Sequence, residues 1–494
     1  MSRSWDALTP KLHELHDYAG AIRLLHWDQQ VMMPPEGAPA RARVVATLES
    51  AAHRLLTAPE IGDLLRELAS DDSLDDVQRA SVRVLERDHG QATKVPEELV
   101  RDLAKVRGLA YQAWTVARPA SDFSILEPHL RSLIELKKHE ADALGWDEER
   151  YDALLDLWEP HAKTSETAAM FDELVRGLKP ITDAALEPDH ERAPFLYASY
   201  DDAKQHSFCR WLVEQLGFDV ARGRLDSSPH PFTIQIGPAD VRQTTRTETT
   251  GVLGSIYAAI HETGHALYEQ GIPAGLLGLP VGRVPSLGMH ESQSRLWENQ
   301  IGRSRAFTDF LLPHLKDRFP EEIAMTTPQE FYRGVNHVQR TLIRVSADEL
   351  TYNLHVALRF KLELALFRDE LEVSELPGAW NDATEEYLGI RPENDSEGVL
   401  QDMHWSIGAM GYFPTYTIGN LYAAAIDRRA RAELDTLDGD IRSGDMRPLL
   451  EWLRENIHRH GYVFEARELM EDVTGASVDA RPLLTYLEDK YSNL

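Results

Sequence analysis

The residue types and spacing most able to do chemistry are in His261-Glu262-Thr263-Gly264-His265, which matches HExxH. Ile256, Ala259, Ile260 and Leu267 flank the histidines, and no proline falls between 252 and 272. A helix is therefore expected, and positions 261 and 265 lie one turn apart on one of its faces. Two imidazoles so placed can chelate one Zn²⁺. Glu262 is rotated about 100° around the helix. It can border the ion without ligating it, where it would take a proton from the attacking water and return it to a leaving amine. Gly264 weakens a helix by up to about 1 kcal/mol relative to Ala, a cost that a close approach of another element would explain. The competing reading of the motif is a pair of surface or satisfied core histidines.

A third ligand must come from elsewhere. The extended HExxHxxGxxH pattern would need Gly and His where this chain has Tyr268 and Gly271. Glu269 continues the 261/265 stripe, but three ligands along two turns span roughly 12 Å, too far to converge on one ion. After a Gly- and Pro-rich stretch from Gly271 to Gly288, the chain re-enters helix near His290-Glu291-Ser292. A helix there could bring Glu291, or one to two turns on Arg295 and Glu298, towards the metal. Geometry alone leaves Glu291 and Glu298 as rivals, with His290 a weaker candidate.

The elements that must position these groups are mostly helices. Leu103, Val106, Leu109, Ala110, Trp114 and Ala117 recur at helical spacing, as do apolar residues near 129–144, 165–178, 202–216, 306–318, 447–460 and 479–491. From Pro328 to about Leu371 the only Gly or Pro after the start is Gly334, which predicts one long, largely buried helix. Breaks are expected at Pro377-Gly378, Gly389–Pro392 and Gly408–Pro414. One stretch reads as β: Pro231 to Ile236 alternates, Val241 to Thr250 is rich in Thr, and Gly237-Pro238-Ala239-Asp240 is a turn signal. A small antiparallel hairpin beside the HExxH helix is expected. No repeat or low-complexity linker appears, so one catalytic domain over 1–494 is expected, in two lobes divided by a groove.

Composition narrows the partners. The chain has 494 residues, 43% of them hydrophobic, enough for a large core without covalent staples. It carries 52 basic against 81 acidic residues, a formal −29. That field repels phosphate backbones and anionic lipid heads, which argues against nucleic-acid or membrane binding. Cys209 is the one cysteine, so no intramolecular disulfide or Cys-rich metal site can form. No secretory signal follows Met1, and no apolar run approaches the ~20 residues of a bilayer span. A cytoplasmic protein is expected.

With these motifs in view, the sequence resembles the carboxypeptidase Taq family of zinc metallocarboxypeptidases, almost end to end. The resemblance begins with Leu25-His26-Trp27-Asp28-Gln29 and Met33-Pro34-Pro35. It continues through His230-Pro231-Phe232 and Asp240-Val241-Arg242-Gln243-Thr244, which fits DxRxT, to HExxH and His290-Glu291-Ser292. Ile343-Arg344-Val345-Ser346-Ala347-Asp348 fits IRxxAD, and Gly398 to Trp405 fits GxxQDxHW. The resemblance implies ligands His261, His265 and Glu291, one Zn²⁺ per chain with Co²⁺ able to substitute, and Glu262 as base and acid. It also implies a mainly α, large helical metallopeptidase fold with a deep groove, a homodimer, and sequential release of C-terminal residues with broad specificity.

A carboxypeptidase must also recognise a free carboxylate, which the arginine fork does well. Arg344, expected within a buried helix, is the first candidate; an intrahelical pair with Asp348 is the bland alternative. Arg242 on the hairpin is the second, with pairing to Asp240 or Glu248 as its alternative. His230, His404, Tyr412 and Tyr416 are candidate donors to the oxyanion, resting chiefly on the family motifs. The expected partners are peptides with a free C-terminus. An endopeptidase, a dipeptide-releasing enzyme and a catalytically silent zinc-stabilised scaffold are the alternatives.

Overall fold

Amphipathic stripes become helices wherever their apolar face finds a partner. The computed structural model describes residues 2–186 and 193–494. The chain is 67% helical with one three-stranded sheet. All the stripes singled out above lie in helices, among them Glu97–Ala120, Glu127–Leu144, Asp202–Gln215 and Arg481–Ser492. None of the described helices is long and apolar enough to cross a membrane.

Two large hydrophobic cores organise the chain. One gathers Phe208, Leu212, Ile256, Ile260, Trp297 and Phe307 around the HExxH helix. The other gathers Leu130, Tyr151, Leu174, Leu358, Phe360 and Trp380. The Pro414–Glu433 helix serves both, with Ala423 and Ile426 in the first core and Leu421 and Ala424 in the second. A smaller core of Trp5, Leu8, Ile61 and Leu65 closes the N-terminal helices. There the Arg3–Val31 and Ala38–Leu56 helices are tied by Arg41, which donates to Asp28 Oδ2 at 2.5 Å and to the Leu25 carbonyl at 2.6 Å.

The sheet holds β1 (Gly223–Ser227), β2 (Thr233–Gly237) and β3 (Asp240–Thr245) in the order β1-β3-β2. The expected hairpin is β2–β3, paired antiparallel; β3 stops at Thr245 rather than Thr250. β1 lies parallel to β3 and gave no sequence signal, since Leu225 is its only apolar side chain and one residue shows no alternation. Side chains of β2 and β3 divide by parity. Thr233, Gln235, Gln243 and Thr245 reach the HExxH helix, bonding Glu262, Glu269, Thr263 and Ser255 in turn. The opposite face carries Arg242, whose guanidinium stacks on Trp27 of the N-terminal helix at 4.2 Å.

The long helix expected over Pro328–Leu371 is wrong. Helices run over Pro328–Val335 and Tyr352–Phe367, and between them the chain is irregular apart from a 3-10 turn at Arg344–Ser346. The Asp348 carboxylate explains the break. It accepts from the backbone N–H groups of Gln339, Leu350 and Thr351 and from the Thr351 hydroxyl, all within 3.1 Å. An Asp that satisfies local backbone in this way competes with the helix it was expected to extend. β-branched Val338, Thr341, Ile343 and Val345 add to the bias. At Pro377-Gly378, the first of the three expected breaks, Pro377 lies in the first turn of the Leu376–Leu388 helix and starts it.

Candidate metal centre

The HExxH helix, Leu253–Gly271, is buried on nearly every side. Its neighbour begins at Leu287, where the Ser286 hydroxyl accepts from the Met289 N–H at 3.0 Å, and runs to Arg295. Gly264 lets the two meet: a Cβ there would lie 2.5 Å from the Gln293 carbonyl oxygen and 2.6 Å from Ser294 Cα. The cost of that glycine is thus explained by a helix–helix approach. On the far side Gly419 of the Pro414–Glu433 helix does the same, since a Cβ at 419 would come within 2.7 Å of Glu291 Cβ and Cγ.

This packing brings one ligand atom each from His261, His265 and Glu291 within 4.8 Å of one another. Glu291 Oε2 lies 3.8 Å from His261 Nε2 and 3.5 Å from His265 Nε2. Tetrahedral donors at 2.0–2.1 Å from a zinc ion stand about 3.4 Å apart, so the cluster fits a small divalent cation. The other ring nitrogens are engaged. His261 Nδ1 donates to Glu298 Oε2 at 2.9 Å, and His265 Nδ1 donates to the His290 carbonyl at 3.1 Å. Both assignments leave the Nε2 lone pairs towards Glu291. Glu298, the rival ligand, therefore stands behind His261. It is carried there by a π-helical turn over Leu296–Ile301, a local widening common at functional sites. His290 stacks on His265 with ring centroids 4.1 Å apart and faces Glu269 Oε1 at 3.2 Å.

Charge is balanced around these groups. Arg295 Nε donates to Glu291 Oε1 at 2.7 Å, and its Nη1 donates to Glu298 Oε2 at 3.2 Å. Arg303 reaches Glu298 Oε1 at 3.4 Å. Burial would raise the Glu291 and Glu298 carboxyls, but Arg295 with His261 and His265 holds Glu291 well below the usual range, and Arg295 with His261 and Arg303 holds Glu298 at about 2. Burial, with His290 adding to it, pushes His265 down to about 3. His261 is also buried, yet Glu291 and Glu298 outweigh that and raise it. Glu262 is raised by burial. The Thr233 hydroxyl points at Glu262, 2.7 Å from Oε2 and 2.9 Å from the carbonyl oxygen, and fixes the carboxylate against β2.

The other expected residues fall into two groups. Arg344 is buried and pairs with Asp402, 58 residues away, through Nε at 3.2 Å and Nη2 at 2.8 Å. The alternative reading, a pair with Asp348, does not form, because Asp348 is engaged by backbone. Arg359, fully buried, shares Asp402 through its Oδ2 at 2.6 Å, and Gln401 bridges the two arginines by accepting from the Arg344 N–H and from Arg359 Nη2. Burial opposes the Asp402 charge, but the two arginines hold it far below the carboxylate range. Burial lowers Arg359 to about 10, with Arg344 adding to the effect. Arg344 Nη1 donates to the Tyr352 hydroxyl at 3.0 Å, and Arg295 stacks on the same tyrosine ring at 4.3 Å. Tyr352 thus joins this cluster to the metal-ligand cluster. His404, Tyr412 and Tyr416 collect here too: His404 Nε2 is 3.2 Å from the Tyr416 hydroxyl, and the Tyr412 and Tyr416 rings are 5.2 Å apart. Burial and the nearby arginines lower His404 to about 4, and burial raises Tyr412 to about 12.

Arg242 and His230 lie outside both clusters. Arg242 makes a two-pronged pair with Asp240, at 2.8 and 2.7 Å, on the sheet face turned from the HExxH helix. His230 is exposed in the β1–β2 loop, three residues before Thr233. Arg295 was expected near the metal together with Glu298, whereas Arg359, Asp402 and Thr233 were given no role from sequence. Asp402 alone had a signal, since it belongs to GxxQDxHW, but no spacing rule links it to Arg344.

A family model described as carboxypeptidase Taq (M32) metallopeptidase matches residues 7–491. The chain is 42% identical over 490 residues to thermostable carboxypeptidase 1 of Thermus thermophilus, covering 95% of each chain. It is 35% identical to carboxypeptidase 1 of Bacillus subtilis, covering 98% of this chain and 97% of that one. Among solved structures, an M32 carboxypeptidase from Deinococcus radiodurans superposes with a TM-score of 0.97 at 40% identity, covering 100% and 99% of the two chains. A Pyrococcus furiosus carboxypeptidase gives 0.97 at 38% identity, covering 99% of each.

Proposed function

The chain belongs to the carboxypeptidase Taq (M32) metallopeptidase family, and from that premise we propose how its residues carry metallocarboxypeptidase activity. The observation that carries the reading is the convergence of His261, His265 and Glu291 within 4.8 Å beside the buried Glu262. Two neutral imidazoles and one carboxylate suit Zn²⁺, with Co²⁺ as a substitute, one ion per chain. Bound there, the ion would polarise the last peptide carbonyl and make water easier to deprotonate.

The chain's own groups do the rest. Glu262 accepts a proton from the attacking water as the new C–O bond forms. It then delivers that proton to the amine nitrogen as the C–N bond breaks. Burial makes its carboxylate more basic, and the Thr233 hydroxyl on Oε2 leaves Oε1 to face the water. His404, Tyr412 and Tyr416, gathered beside Glu291 and Arg344, are the proposed donors to the tetrahedral oxyanion; His230, exposed in the loop before Thr233, ranks behind them. Arg344 is proposed to hold the substrate's terminal carboxylate through its Nη1 edge, because Tyr352 places that edge next to the metal-ligand cluster. Arg242 ranks second, because it lies with Asp240 on the sheet face turned from the HExxH helix.

The chain is further proposed to act as one catalytic domain in a cytoplasmic homodimer, trimming peptides residue by residue with broad specificity. A defined peptide incubated with the enzyme should give a ladder of single-residue losses from its C-terminus, abolished by chelation and restored by Zn²⁺ or Co²⁺. Internal cuts, or a ladder that survives metal removal, would overturn the reading.

A further inference from the structure

Glu291, in the helix that ends at Arg295, and Glu298, in the π-helical turn that follows it, are two carboxylates that one guanidinium touches. Arg295 Nε donates to Glu291 Oε1 at 2.7 Å, and Nη1 donates to Glu298 Oε2 at 3.2 Å. Its planar face lies on the Tyr352 ring at 4.3 Å, so the fork cannot rotate freely about the side chain. Consequences follow at two atoms. Glu291 Oε1 is committed to Arg295, so Oε2, 3.5 and 3.8 Å from the two Nε2 atoms, is the oxygen left for the ion. Ser294 Oγ, which donates to the Glu291 carbonyl at 2.7 Å, also lies 3.2 Å from Oε2 and does not block it. Glu298 Oε2, held by Arg295, is the acceptor of the His261 Nδ1–H at 2.9 Å.

We propose that Arg295 is a positioning residue of the metal centre, which restricts Glu291 to ligation through Oε2 and, through Glu298, holds His261 in the tautomer whose Nε2 is free. A carboxylate can close on a cation through one oxygen or two, and a second oxygen takes coordination space that water or substrate needs. Arg suits this task where Lys does not, since only a planar fork donates to two carboxylates in fixed directions. Gly419 adds to the restriction, because its lack of a Cβ lets the neighbouring helix press on Glu291 Cβ and Cγ. The proposal rests on the reading that His261, His265 and Glu291 hold the ion.

The test uses the full chain, stripped of metal and titrated with Co²⁺ against a competing chelator. Wild type, Arg295→Met, Arg295→Lys and Glu291→Ala are compared by affinity, by X-ray absorption at the cobalt edge, and by visible ligand-field bands, which weaken as coordination number rises. Both Arg295 variants should bind Co²⁺ about 10- to 100-fold more weakly, the usual cost of a lost partner behind a ligand. Their spectra should show a higher coordination number as Glu291 closes on the ion with both oxygens. Should Arg295→Met fail to fold, Arg295→Lys carries the test, since it keeps the charge and loses only the fork. Wild-type affinity and an unchanged spectrum in a folded variant would overturn the proposal while leaving the ligand set intact. Retention of stoichiometric Co²⁺ by Glu291→Ala would overturn the ligand set and the proposal with it.

Discussion

The metal-ligand cluster and the arginine cluster meet at Tyr352, and they are built in opposite senses. The first pairs Glu291 and Glu298 with Arg295 and Arg303 and adds Glu262, which Thr233 holds, so its formal charge is short of one cation. The second draws Arg344 and Arg359 against Asp402, so it is short of one anion. Burying uncompensated charge is expensive, and each cluster would lower that cost by binding what it lacks. A cation in the first and a substrate carboxylate in the second are the two recognition events that a metallocarboxypeptidase needs. Their separation also divides labour: the first can hold catalytic groups while the second aligns the chain end.

The largest expected effect breaks the second cluster without touching the first. Asp402→Asn leaves Arg344 and Arg359 buried with no counter-ion, which should cost about 3–5 kcal/mol in denaturant unfolding while Co²⁺ affinity stays within a few-fold of wild type. Its pH signature is specific. The Asp402 carboxyl is held far below its unfolded value, so its stabilisation is complete above about pH 4 and is lost as pH falls, because there the unfolded chain takes up a proton that the folded one does not. The variant should lack that part of the acid slope. An equal slope in both proteins would remove Asp402 as the keystone of the cluster.

Next in size, Glu262→Gln keeps shape and the Thr233 contact but removes the base. kcat should fall by at least ~10²-fold with metal content unchanged, as for other lost general acid–base groups. Near-normal turnover would show that proton transfer is carried elsewhere.

Arg344→Met sharpens the comparison at the substrate end. Removing Arg344 leaves Arg359 and Asp402 as a one-to-one pair, so no charge is stranded. A charge-assisted hydrogen bond to the substrate carboxylate is worth roughly 1.5–3 kcal/mol. kcat/KM for free-acid peptides should therefore drop about 10- to 100-fold, while amidated peptides, already poor substrates, change little. If preference for free acids persists at the wild-type ratio, the carboxylate is held by another group.

The smallest effect is expected at Arg242. Its pair with the partly exposed Asp240 is worth at most about 1 kcal/mol. Arg242→Ala should change kcat/KM by less than about threefold, the effect of roughly 0.6 kcal/mol. A loss larger than that of Arg344→Met would reverse the order of the two arginines.

What the sequence determined by itself follows from local geometry. The four-residue spacing of His261 and His265 puts both imidazoles on one helix face whatever surrounds them. The alternation around Gly237-Pro238 makes a hairpin by similarly short-range rules. Gly264, costly in a helix, signalled a close neighbour correctly. Spacing favoured Glu291 but kept Glu298 as a rival, and family resemblance then singled Glu291 out. Tertiary structure decided the rest, and for one physical reason. A buried charge is satisfied by whichever opposite group packing delivers, and sequence proximity offers only the local candidates. For Arg344 the local candidate was Asp348, but backbone N–H groups had claimed it, ending the helix that would have joined the two. The partner instead came from Asp402, 58 residues on, along with Arg359, which no motif had marked. In the same way a π-helical turn moved Glu298 from rival ligand to the acceptor behind His261. Strand parity turned Arg242 away from the metal helix, a consequence of register that spacing along the chain does not contain.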